Sequence, residues 1–136
     1  MKDASLLNFV STTALLCTCF FFFSPVPEVM QMRNTGTCGD VKVFNFVSMF
    51  NNTMLWCIYA TCKGLYFPQL VTNVLGATCS IFYLLSFWVN AIGSEREDAN
   101  TKIGISCAIV TVSALYPLTM GVTDTVIRHL GYECIV

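Results

Sequence analysis

Four uncharged, mainly apolar windows divide the chain: Ala4–Pro27, Val43–Cys62, Gly64–Ser94 and Ile103–Thr123. All fifteen charged residues fall between or beyond them. A bilayer's hydrocarbon core is crossed by roughly 20 apolar residues of helix, so each window is long enough to span a membrane. The pattern predicts transmembrane helices over about residues 4–26, 43–62, 66–92 and 103–123. Pro25 lies inside the first and is expected to kink or end it, because proline lacks the N–H that a helix requires. Between the windows, Glu28–Lys42 reads as a polar connection with turn chemistry at Thr35–Asp40, and Cys62–Pro68 as a tight turn. Residues 93–102 read as a charged loop and 124–136 as a tail.

Two of the windows carry polar side chains in register. In the second, Asn45, Ser48, Asn52, Trp56 and Tyr59 follow at +3, +4, +4 and +3, which keeps all five on one helical face. In the third, Asn73, Gly76, Ala77, Ser80 and Tyr83 share a face, while Leu70, Val74, Ile81 and Leu85 lie elsewhere. A carboxamide in hydrocarbon must find partners, at a cost of about 1–3 kcal/mol if it does not. Such a face either packs closely on a neighbouring helix or borders a wet cavity. For the second window an interfacial aromatic belt at Trp56 and Tyr59 is the competing reading. The depth of Asn52 on the same face favours an aqueous path.

Composition fits one polytopic membrane domain, with 11% charged residues against about 25% in soluble domains. Net charge is −1, and no basic patch exists to neutralise phosphates, so nucleic acid is not expected as a partner. Of eight cysteines most lie inside apolar windows, where they behave as small hydrophobes; no C-x-x-C pair occurs and His129 is the single histidine. No metal site or cofactor is therefore expected. A bridge between Cys62 and Cys134, both near span ends, is the one pairing the pattern offers. The first apolar run outlasts a signal-peptide core and ends in Ser-Pro-Val-Pro rather than a small-residue exit, so it reads as a retained helix. Arg33, Lys42, Arg96 and Lys102 outweigh Lys2, Lys63 and Arg128, which favours an external N-terminus and a cytoplasmic side for the connection after each odd-numbered span.

No catalytic constellation is present: no nucleophile lies in register with a base, and no carboxylate pair shares a membrane face. The chain is not expected to be an enzyme. Within the windows there is no charged group of the kind that ion-coupled pumps use as relays. What remains is a neutral polar lining with aromatics, suited to an uncharged, hydroxyl-rich solute.

The segments FFFSPVP, TGTCGDVKVFNFVSMFNNTMLWCIYA and LVTNVLGATCSIFYLLSFW together resemble the SWEET (MtN3/saliva) sugar transporters. The strongest anchors are FNN followed by LWxxY, then TNxxG, and the likeness runs over Ser24–Trp88. It implies an all-α membrane fold in which three-helix repeats are joined by a linker helix, and facilitated diffusion of mono- or disaccharides. It assigns Asn73 and Trp56 to the sugar, Tyr59 to an outer gate and Pro25 to a hinge, and Asn52 joins the substrate-binding candidates from its depth on the polar face of the second window. A second hinge proline of the family is Asn45 here, and only the beginning of a second repeat follows the fourth span.

The resulting expectation is one three-helix repeat (1–92), a cytoplasmic loop (93–102), a linker helix (103–123) and the start of a second repeat (124–136). Such a chain would be a multi-pass uniporter of the plasma membrane, or of the Golgi or another endomembrane. Its partners would be a sugar, membrane lipid, and further copies of itself or a full-length relative, because one repeat supplies half a cavity. The alternatives are a truncated, non-transporting isoform that regulates a full-length transporter, and a membrane scaffold.

Overall fold

The computed structural model describes residues 2–133, and every regular element among them is a helix. In chain order these are α1 Lys2–Phe23, α2 Val26–Thr35, α3 Val43–Lys63, α4 Val71–Asn90, α5 Ser94–Met120 and α6 Asp124–Glu133. Glycines end two of them where a side chain would be strained. Gly36, at φ 69°, returns its N–H to the Met32 carbonyl at 2.8 Å. Gly64, at φ 72°, closes α3, and Leu65 N–H reaches the Ala60 carbonyl at 2.8 Å. A wide turn, Tyr66–Leu70, broken at Phe67, leads into α4.

Among the described residues three stretches are long and apolar enough to cross a membrane: Phe9–Thr35, Tyr66–Asn90 and Ser94–Met120. The 21 residues of α3 would rise about 32 Å, but Asn45, Asn51 and Asn52 lower its apolarity below that of the other three. It compensates by burial, since α3 packs on α4, α5, α6 and the wide turn. By contrast, Phe22 is the one buried side chain among those described in α1, while Phe9, Val10, Leu16, Phe20 and Phe21 are all exposed. Such a surface is at rest in hydrocarbon and not in water. Where α2, the start of α3 and the end of α4 meet, Val29, Met32, Cys38, Val43, Phe46, Tyr83 and Phe87 form the core. Its aromatic centre is Phe46, 5.7 Å from the Tyr83 ring and 6.3 Å from Phe87.

Several boundaries differ from the sequence reading. The first membrane stretch does not stop near Pro25: it runs through the Ser24–Pro25 break into α2, so the supposed polar connection is helical to Thr35. Glu28 and Arg33 thereby fall within it, and the guanidinium of Arg33 lies 5.8 Å from the centre of the Phe82 ring. The charged stretch 93–102 is no loop either, because α5 begins at Ser94. Glu95 and Glu97 occupy its first turn, where negative charge is favoured. Asp98 and Lys102 pair one turn apart at 2.6 Å, and Arg96 stacks on Trp88 at 4.0 Å. All these charges remain near the surface, so solvation and helicity coexist. The tail forms α6, with Val126 and Leu130 buried and the helix packed on α3 and α5. Cys134 lies outside the described residues.

Ala99, Ser106 and Ser113 repeat at seven residues and are buried along α5. Ser106 Oγ donates to Asn51 Oδ1 at 2.6 Å, which accounts for one amide of α3 by helix packing. Ser106→Ala is expected to cost about 1 kcal/mol and to lower the melting temperature of the detergent-solubilised protein by a few degrees.

Cys38 supplies a second local test. It is 2% exposed, its Sγ donates to the Phe87 carbonyl at 3.6 Å, and burial, with the charge of Glu95 beside it, raises its pKa. Because the thiolate is the reactive form, a protein with Cys38 as sole cysteine should label slowly with maleimide at pH 7. The rate should climb only as pH passes above the ordinary thiol range. Rapid labelling at neutral pH would contradict this placement.

Candidate binding groove

A groove of about 700 Å³ opens between the end of α1, one face of α3 and the beginning of α4. Its size falls within the range of small-molecule sites. From α3 it receives Asn45, Ser48, Asn52 and Trp56, spaced along the helix by its own periodicity. The α1 side contributes Thr18, Phe21, Phe22 and Pro25, and α2 places Glu28 in the lining. Gln69 and Asn73 complete it from the wide turn and the first turn of α4. The lining thus joins carboxamides and hydroxyls to aromatic rings, with Glu28 as its charged member.

Asn73 is half-buried, and its Nδ2 donates to the Gln69 carbonyl at 2.9 Å. An amide has two donors and an acceptor oxygen, so this bond fixes the side chain while leaving one N–H and Oδ1 for a ligand. Across the groove, Asn52 is exposed and Trp56 half-buried, one turn apart. This geometry can offer hydrogen bonds from two sides and a flat ring face between them.

The structure separates two groups that the sequence placed together. On α4, Asn73 borders the groove, whereas Gly76, Ala77, Ser80 and Tyr83 are buried. A Cβ at Gly76 would collide with the Phe22 ring. Ser80 returns its hydroxyl to the Gly76 carbonyl at 2.9 Å, so its polarity is spent locally. Packing and cavity therefore share this face rather than compete for it.

On α3, Tyr59 does not line the groove. Its ring meets Trp56 edge-on, with centroids 5.5 Å apart, and also neighbours Gly131 of α6, where a Cβ would stand 3.4 Å from the ring. Asn52, Trp56, Asn73 and Pro25 are thus brought to one opening, and Tyr59 touches it only through Trp56.

Sequence reasoning did not single out Gln69, Phe22 or Glu28. Gln69 is carried to the lining by the wide turn Tyr66–Leu70, which helical periodicity does not reveal. Glu28 was hidden by the assumption that the membrane segment ends at the proline. Thr18 was legible, aligned with Ala14, Phe21 and Pro25 on one face.

Comparison with known proteins gives two kinds of likeness. Residues 8–93 match the family described as "Sugar efflux transporter for intercellular exchange". The chain is 29% identical over 135 residues to "Sugar transporter SWEET1" of Dictyostelium discoideum, covering 96% of this chain and 60% of that protein. It is 29% identical over 86 residues to the protein of the same name from Caenorhabditis elegans, covering 63% of this chain and 28% of that one. The chain thus spans less than two thirds of the length of these relatives.

Proposed function

The chain belongs to the SWEET (MtN3/saliva) family, and from that premise we propose that it builds one wall of a path for facilitated diffusion of mono- or disaccharides across a membrane. The observation that carries this reading is the convergence of Asn52, Trp56 and Asn73 on one open groove. Sugar hydroxyls present many donors and acceptors at short spacing, and neutral carboxamides bind them without the desolvation cost of a charge. The face of Trp56 offers an apolar platform for ring C–H groups.

In this reading α1 with α2, α3 and α4 act as one three-helix repeat, α5 as the linker helix and α6 as the first turns of the next repeat. The groove is open along one side, so a second such unit is needed to close it, whether from another copy, from a full-length relative or from a longer chain of which this is part. Pro25 serves as the hinge near one end, and Tyr59 acts as a gate through its contact with Trp56. The connection to α3 and the first turns of α5 lie on the cytoplasmic side, and the plasma membrane is the first location to examine.

The test is uptake of labelled mono- and disaccharides, down their gradients, into proteoliposomes or into cells that lack their own sugar uptake. Uptake that saturates and is independent of proton and sodium gradients is expected. Surface-expressed protein that gives no flux with any sugar, alone or with a full-length relative, would refute the reading.

A further inference from the structure

The break between α1 and α2 leaves backbone carbonyls without their helical donors. Pro25 and Pro27 have no N–H to offer the carbonyls of Phe21 and Phe23, and Ser24 N–H takes the first of these at 3.2 Å. Between them, the Phe22 carbonyl accepts the hydroxyl of Tyr83 at 2.8 Å, from 61 residues further along the chain. This bond is buried, and Tyr83 itself is 2% exposed. Deep in a membrane protein an unpaired carbonyl is costly, so a helix broken there needs a donor from a neighbour.

Tyr83 is built to be that donor. Its ring is held by Phe46 of α3 and flanked by Phe82 of α4. Phe22 and Phe46 both line the groove, and Pro25 lies at its end. The hydroxyl thus fastens the broken helix of the wall to the packed α3–α4 pair.

We propose that Tyr83 is a positioning residue that latches the α1–α2 break, so that any swing of α1 relative to α2 requires this one hydrogen bond to be released. The inference rests on the transport reading for its consequence, but the latch itself is a property of the fold. Tyr83 touches no solute; it fixes the angle at which Phe22 and Pro25 meet one. Loss of the hydroxyl should change how fast the break rearranges and leave the sugar contacts of Asn73 and Trp56 in place.

The test compares the full chain with its Tyr83→Phe variant in lipid nanodiscs by hydrogen exchange, alongside sugar uptake. Phenylalanine keeps the packed ring and removes the hydroxyl, together with its contact to the Cys79 thiol; Cys79→Ala, which removes that second contact alone, should leave exchange at the break unchanged. Exchange of the amides of Val26, Glu28 and Val29 is expected to rise roughly 5- to 10-fold while those of α5 are unchanged, and the maximal uptake rate to shift with the half-saturation concentration held. Exchange that stays the same at the break, or rises equally in α5, would overturn the latch, since the hydroxyl would then contribute nothing or only general stability. A half-saturation concentration that moves with the rate held would overturn it as well. Exchange that rises only at the break, in a protein that carries no sugar even in its unaltered form, supports the latch and refutes the transport reading instead.

Discussion

Alanine at Asn73 will reduce sugar uptake about tenfold or more while expression and membrane insertion stay intact. The side chain is half-buried at the groove and already oriented by its bond to the Gln69 carbonyl. Truncation removes the remaining N–H and the Oδ1 acceptor, each worth about 1 kcal/mol toward a hydroxyl, and 1.4 kcal/mol corresponds to about a tenfold change in affinity. Loss of two such bonds therefore exceeds one decade. Trp56→Ala should act in the same direction by removing the stacking face, and it should also release Tyr59, whose ring leans on Trp56. The measurement is initial uptake rate against sugar concentration, normalised to surface protein. Undiminished uptake by Asn73→Ala would place the sugar elsewhere.

The second large effect is expected at Gly76. The Phe22 ring lies so close that even a methyl group there would overlap it. Gly76→Val should push Phe22 away, and with it the end of α1, whose one described buried side chain this is. Overpacking of this kind costs about 1–3 kcal/mol. Here it also displaces a wall of the groove and strains the bond between Tyr83 and the Phe22 carbonyl. Uptake should fall by about tenfold or more, and thermal stability in detergent should drop together with it. Gly104→Ala is the control, since nothing lies within 4 Å of the position where its Cβ would stand. If both substitutions behave alike, the α1–α4 contact is not what the geometry indicates.

Much of the membrane layout was legible in the chain because hydrocarbon imposes a simple rule: long uncharged runs must be helical and must cross. The polar stripe of α3 was equally plain, because helical spacing fixes angular position. Boundaries were less so. Pro25 is expected from the sequence to kink or end the first span, and the helix does break after Phe23. The apolar stretch resumes as α2, however, and a break inside a membrane needs a donor for the carbonyl it frees. Tyr83, contributed by α4, supplies that donor from within the protein. The charged run at Glu95–Asp98 was read as a loop since charge signals solvent, but solvent exposure does not forbid a helix. Arg96 on Trp88 and Asp98 with Lys102 show how α5 carries its charges outward.

An all-helical membrane protein and the neutral polar side chains of α3 and α4 could be read directly from the chain. How the helices pack decided the rest: Asn52, Trp56 and Asn73 share one opening that Tyr59 does not line, Asn51 is spent on Ser106, and Tyr83 bonds the Phe22 carbonyl 61 residues earlier. The reason is geometric. Periodicity states which direction a side chain leaves its own helix, but what it meets there depends on how the helices are set against one another.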